Sequence, residues 1–472
     1  MILSKSVLRY GGFALSVTSA RVLGTILTAA TFPFLVRRLG VDVYGVWSYV
    51  VAVCGFTQLL ANPGLTSYCA QQVAARRQAA FETISDVLIL RLMASGVAIV
   101  AVLVVAGFEV RQDARFLLKV YGVASVLMGS LSVDYLLGSL ELFHVQSFSS
   151  IAQQSLYAVG IFTMIRSPKD VLWVPISIVG SSLLTTLIGW TFLWRQGYRF
   201  RFSAAPQRWT EILVPSLHYG ASSLMSTSYH RTGSIAVRWY LGEHALGLYA
   251  AATRLAGVLY NFLTVVQSVM MPRIALRAKS ADALSRLTRI ATSCLVLFGL
   301  PLVVGGVVTA PEVIPYLLGS QFQEAVQAFR WVIAVVITAS AAALFGGILY
   351  AMGFYRDVFI STLLGAVTAV GLSLVLPPLL GIPGACIGYV LGEFGVALYA
   401  FLRCPPEVRA AAKTSLLSFA VIASLLMGVA LRIALSKHLP PLVLVGLGCA
   451  VYLISWASVG RNLLKKEVEG FK

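Results

Sequence analysis

The stretch Leu39-Gly40-Val41-Asp42-Val43-Tyr44-Gly45-Val46-Trp47, followed by Gly55, returns as Leu241-Gly242-Glu243-His244-Ala245-Leu246-Gly247-Leu248-Tyr249, followed by Gly257. A leucine, three glycines and an aromatic ring recur in one register. Each copy begins where a long apolar run ends, the first run of the chain and the seventh. The chain therefore reads as two six-span halves pointing the same way across a membrane, with two further spans after them.

Composition fixes the membrane assignment. Of 472 residues, 58% are hydrophobic and 11% charged, and the mean hydropathy is +0.85. A soluble domain carries about 25% charged residues. Dividing the chain where charges or Pro/Gly clusters interrupt runs of around 20 apolar residues gives about fourteen spans. The first starts near Gly12, the seventh near Ile212 and the last near Pro441. The expected fold is all-α and polytopic, with an N-terminal half over 1–194, a basic cytoplasmic linker over 195–211, a C-terminal half over 212–403, and two additional helices with a basic tail over 404–472.

Placing the N-terminus in the cytoplasm puts about 21 Lys/Arg on the cytoplasmic side and about eight on the other, so both termini are expected to be cytoplasmic. The net charge of +18 is then mostly topology and lipid-headgroup contact, in clusters such as Arg195, Arg199, Arg201 and Arg208 or Arg273, Arg277, Lys279, Arg286 and Arg289. No nucleic-acid partner is implied. Lys5 and Arg9 precede a run too long for a cleaved signal peptide and lacking an A-x-A end, so it reads as span one. The six cysteines form no C-x-x-C pair and read as small packing residues.

Arginines inside the spans are the functional signal. A cation at the bilayer centre costs at least about 2.5 kcal/mol, so it faces protein or a watery cavity. Arg21 shares a helical stripe with Thr18, Thr25 and Thr28, and Arg254 shares one with Gly257, Asn261, Thr264 and Ser268. Span two carries Ser48, Gly55, Gln58 and Asn62 on one face, and span seven carries Ser216, Ser223, Thr227 and Arg231. Hydroxyls also mediate helix packing, which is the alternative for these stripes. Arg91 and Arg231 lie two turns from a surface and either face a cavity or snorkel, while Arg330 and Arg432 read as snorkelling. A cavity near the midplane between the two halves, with cations from both, would receive an anionic cargo.

Intramembrane acids are few. Asp134 and Glu393 are candidate proton or sodium sites, or else counter-ions for arginines. His230 and His218 are candidate relay groups or structural histidines. The chain has no P-loop, no H-E-x-x-H and no G-x-S-x-G, and no extramembrane segment longer than about 20 residues. It is not expected to be an enzyme, and no cofactor is expected beyond a coupling ion.

Arg37-Arg38-Leu39-Gly40 with Tyr44-Gly45, then Asn62-Pro63-Gly64-Leu65 running into Arg76-Arg77, resembles the opening of the polysaccharide-biosynthesis or O-antigen (Wzx-type) flippases. Leu241-Gly242 to Gly247-Leu248-Tyr249 with Arg254 and Pro272, and Gly392-Glu393, resemble that family's later regions. The resemblance implies the superfamily that also holds lipid II flippases and the multidrug and toxin extruders. Fourteen spans favour its lipid-linked branches. Asn62 and His230-Arg231 stand where many relatives carry aspartate, which departs from the family's cation-coupling pattern.

The resemblance implies a polyprenyl-pyrophosphate-linked oligosaccharide as cargo, moved by alternating access across the bacterial cytoplasmic membrane. Its implied partners are membrane lipids, a polysaccharide polymerase and a chain-length regulator. Arg21, Arg254, Arg231 and Arg91 with Thr18, Thr25 and Asn261 are the substrate-binding candidates. A cation-coupled drug extruder of the same fold and a membrane enzyme acting on lipid-linked sugars are the rival readings.

Overall fold

The computed structural model describes the backbone of residues 2–75, 80–198, 206–278, 280–413, 416–437 and 439–460, and the side chains of these except 2–22, 74–75, 80–82, 206–207, 266 and 459. The side chains of Thr18 and Arg21 therefore lie outside the described residues, as do Arg76, Arg77, Arg199, Arg201, Lys279, Lys465 and Lys466. All regular structure among the described residues is helical, with no strands. The chain forms two compact units, Met1–Arg238 and Trp239–Lys472.

The first unit holds α1 (Ile2–Ala61), α2 (Leu65–Ala75), α3 (Ala80–Phe108), α4 (Gln112–Leu117), α5 (Val123–Leu131), α6 (Asp134–Ser139), α7 (Phe143–Met164), α8 (Trp173–Arg195) and the first part of α9 (Pro206–Arg277). The second holds the rest of α9, then α10 (Ala281–Leu318), α11 (Ala325–Val332), α12 (Val335–Ala351), α13 (Tyr355–Val375), α14 (Pro377–Leu380), α15 (Ile382–Arg403), α16 (Pro406–Ala411), α17 (Leu416–Leu435) and α18 (Pro441–Ser455).

The sequence repeat has a backbone cause. Helix α1 is broken at Gly40, with φ 76° and ψ 172°, and α9 at Gly242, with φ 86° and ψ −178°. Both occupy a region open essentially only to glycine. Each long rod is thus two spans joined by a glycine elbow. Around both elbows the same positions are buried: Val46 and Trp47 in the first copy, Leu248 and Tyr249 in the second.

Among the described residues ten helices are long and apolar enough to cross a membrane, and α9 adds a bent pair, Arg208–Val265 with Gln267–Arg277. Counting both rods as double, and adding the 22-residue α7, accounts for the fourteen expected spans. Helix α7 falls short on hydropathy because Gln146, Gln153 and Gln154 interrupt it. The protein is a multi-pass membrane protein.

Aliphatic clusters hold each unit. In the first, Leu65, Cys69, Val87, Leu136, Leu137 and Leu193 join α2, α3, α6 and α8. In the second, Ile274, Leu284, Leu344, Ile348 and Ala400 join α9, α10, α12 and α15. Helices α13 and α15 approach closely through small residues: a Cβ on Gly392 would come 2.5 Å from Ala369 Cβ. All six cysteines are free.

Candidate functional site

The turn Asn62-Pro63-Gly64 positions the polar faces of the first unit. Asn62 Oδ1 accepts the Thr66 amide at 3.1 Å and its Nδ2 donates to Thr66 Oγ1 at 2.8 Å, capping the start of α2. Gly64 has φ 83°, and a Cβ there would overlap the Ser216 carbonyl oxygen. A Cβ on Gly220 would come 2.9 Å from the Pro63 carbonyl. Two glycines therefore let the turn lie directly on the backbone of α9.

That contact sets the span-two face beside the span-seven face. Gly55 and Gln58 from α1, Asn62 from the turn after it, and Ser223, Thr227 and Arg231 from α9 line a cleft of about 260 Å³. A Cβ on Gly55 would come 3.1 Å from Arg231 Nε, so the glycine leaves room for the guanidinium. Gln58 also borders a second chamber of about 170 Å³, lined by Tyr121, Ser125, Asp134, Gln153, Ser182 and Thr185 among others. There Gln153 Nε2 donates to Ser182 Oγ at 2.9 Å. Asp134 is exposed at this chamber, and among the described residues no cation pairs with its carboxylate. A cation, one carboxylate and a series of hydroxyls and amides offer donors to phosphate and both donors and acceptors to sugar hydroxyls.

The other site residues of the sequence reading stand elsewhere. Arg91 is 1% exposed, and its guanidinium donates to the Ser132 carbonyl at 3.1 Å and to the Gly129 carbonyl, with Tyr135 beneath it at 5.0 Å. It closes the end of α5, where the chain breaks at Ser132. Thr25 is half-buried, while its stripe neighbour Thr28 donates to Gln154 Oε1 on α7 at 3.0 Å. His230 is exposed, with its ring 4.1 Å from that of Tyr229. In the second unit Arg254 and Asn261 are exposed, and Arg254 has no polar partner among the described residues. Glu393, on α15, is 3% exposed and pairs with no cation among the described residues.

Two features escaped the sequence reading. Gln153 and Ser182 needed only the observation that Gln146 and Gln153 share a face of a helix long enough to span the membrane. The second is an ion pair between distant segments. Glu109, in the turn after α3, receives Arg238 Nη1 on Oε2 at 2.9 Å and Nη2 on Oε1 at 2.8 Å. The same guanidinium lies 3.6 Å over the Tyr49 ring. Burial pushes the Glu109 carboxyl up, but the Arg238 bonds and the Arg111 amide outweigh it and hold the group below the usual glutamate range. This fork ties Arg238, on α9, to the turn after α3.

Residues 13–276 match the family described as polysaccharide biosynthesis protein. The chain belongs to that family. Among solved structures, it is similar to the lipid II flippase MurJ in an inward closed conformation, with TM-score 0.75 and 14% identity over 96% of this chain and 99% of that one. It is similar to an inward-facing multidrug resistance MATE transporter of the MOP superfamily, with TM-score 0.63 and 16% identity over 85% and 99%. A MOP superfamily transporter from Pyrococcus furiosus gives TM-score 0.60 and 16% identity over 85% and 96%. No curated protein sequence matches. The chain is thus a multi-pass member of the polysaccharide biosynthesis protein family with the fold seen in the MurJ and MATE transporters.

Proposed function

We propose that the protein flips a polyprenyl-pyrophosphate-linked oligosaccharide across the cytoplasmic membrane for cell-surface polysaccharide assembly, with both termini in the cytoplasm. Such a lipid does not cross unaided, because its sugars and phosphates would lose their hydration in the hydrocarbon core. The observation that carries the reading is the pair of polar chambers sharing Gln58, with Arg231 in one and a hydroxyl and amide lining in the other. Arg231 holds phosphate, and Gln58, Gln153, Ser182 and Thr185 hydrogen-bond sugar. Arg254 and Arg21 supply further guanidinium contacts along the path. An exporter of organic cations would instead place acidic or aromatic groups where Arg231 stands.

Transport is coupled to a proton or sodium gradient through Asp134 or Glu393, each without a cation partner among the described residues. The polymerase and chain-length regulator implied by the family resemblance would receive the cargo on the far side. The reading is tested with purified protein in vesicles loaded on one face with a polyprenyl-pyrophosphate oligosaccharide. The glycan is expected to become accessible to an external glycosidase only when the protein is present. Unchanged accessibility, together with export of an organic cation by the same vesicles, would replace this reading with the drug-extruder one.

A further inference from the structure

Where span eight ends and span nine begins, α9 and α10 enclose a second basic feature that the transport reading leaves unused. Arg273 and Arg277, one turn apart on α9, face Arg286 on α10 across a cleft of about 400 Å³. Leu276, Leu287 and Ile290 complete the lining. All three arginines are exposed, and no guanidinium among them has a hydrogen-bond or ion-pair partner among the described residues. The nearest acid in sequence, Asp282, pairs with none of them. Three like charges directed at one cleft repel one another unless an anion joins them.

The lining says what kind of anion. Guanidinium groups match phosphate oxygens bidentately, and the volume falls within the range of small-molecule sites. Among the described residues the lining contains no Ser, Thr, Asn, Gln or aromatic side chain, so it lacks the hydroxyl, amide and aromatic groups of a sugar site. Leu276 is 86% exposed beside the arginines, an apolar surface at the end of a membrane span. Phosphate-binding cations next to bare aliphatic surface describe a headgroup joined to acyl chains.

We propose that this cleft is a binding site for the phosphate headgroup of an anionic glycerophospholipid, on the face that the charge asymmetry assigns to the cytoplasm. The site is independent of the flippase reading, because it lies wholly in the second unit and uses none of the residues assigned to cargo. A bound phospholipid places an anionic phosphate among the three arginines and offsets part of their mutual repulsion.

The test uses the full chain in neutral detergent, titrated with phosphatidylglycerol, phosphatidylcholine or inorganic phosphate, with bound lipid read by native mass spectrometry. Wild type is expected to take up phosphatidylglycerol in preference to the other two. The triple variant Arg273→Gln, Arg277→Gln, Arg286→Gln should lose roughly tenfold or more in affinity, as expected when charge-assisted contacts are removed. A charge-matched control, Arg195→Gln, Arg356→Gln, Lys413→Gln, removes three exposed cations elsewhere and should bind as wild type. Leu276→Glu, at a solvent-facing position that leaves the core intact, should weaken binding in the same direction. Equal losses in the triple variant and its control would reduce the site to diffuse surface charge and overturn the proposal. So would equal affinity for inorganic phosphate, or displacement of phosphatidylglycerol by equimolar polyprenyl pyrophosphate.

Discussion

A methyl group on Gly55 would come 3.1 Å from Arg231 Nε, whereas on Gly257, its counterpart in the second copy of the repeat, it would meet nothing within 4 Å. The elbows of the two copies are alike, down to the φ of Gly40 and Gly242 and the buried aromatic after each. The surfaces that follow them are not. In the first unit two arginines are built in, Arg91 closing a helix end and Arg238 forked onto Glu109, while Arg231 lies in the cleft beside Gly55. In the second, among the described residues, Arg254 stands exposed without a partner and the buried acid Glu393 has no cation. A repeated backbone therefore preserves span geometry while leaving each copy free to place its charges differently.

The largest expected effect separates the two sets of arginines. Arg91→Ala strands the Gly129 and Ser132 carbonyls and opens a cavity, and should lower the unfolding free energy by about 3 kcal/mol or more. Arg254→Ala should cost less than about 0.5 kcal/mol. Thermal unfolding in detergent reads both, and equal losses would remove the distinction between built-in and free arginines.

A smaller effect follows from the Glu109–Arg238 fork. Because the folded carboxyl titrates below its unfolded value, its stabilisation is complete above the unfolded glutamate pKa and is lost as pH falls through the folded one. Glu109→Gln should therefore be about 1–2 kcal/mol less stable than wild type at neutral pH. The difference should vanish as pH falls well below about 4. A gap that persists in strong acid would mean that the pair contributes nothing through its charge.

The smallest effect tests the glycine pair that opens the comparison. Gly257→Ala, in a helix interior with free space, should raise stability by about 0.5–1 kcal/mol and leave transport unchanged. Gly55→Ala should displace the Arg231 guanidinium and slow flipping severalfold with little change in unfolding. Identical behaviour of the two variants would show that the space beside Arg231 has no functional part.

Those same residues show how far the sequence could be read. The repeat was legible because its leucine, glycines and aromatic recur in one register, and the span-two and span-seven stripes were legible because helical periodicity exposes a polar face. That the stripes of Gln58 and Arg231 line one cleft depends on the Gly64 and Gly220 contacts, which no local pattern records. The role of Arg91 depends on the break at Ser132, and Glu109 and Arg238 are 129 positions apart, too distant for any periodicity to join. The stripe containing Thr28 carried a weaker signal, since packing against Gln154 and lining a cavity select the same small polar residues.

Flipping by Arg231→Ala in reconstituted vesicles decides whether the cleft holds the phosphate of the cargo. Loss of a charge-assisted contact with phosphate at a poorly solvated site should reduce cargo affinity roughly 10- to 150-fold. Unfolding temperature and membrane abundance should hold, and Arg231→Lys should recover part of the activity because charge survives while the bidentate fork does not. Wild-type flipping by a folded Arg231→Ala protein would contradict the account and return the cleft to helix packing.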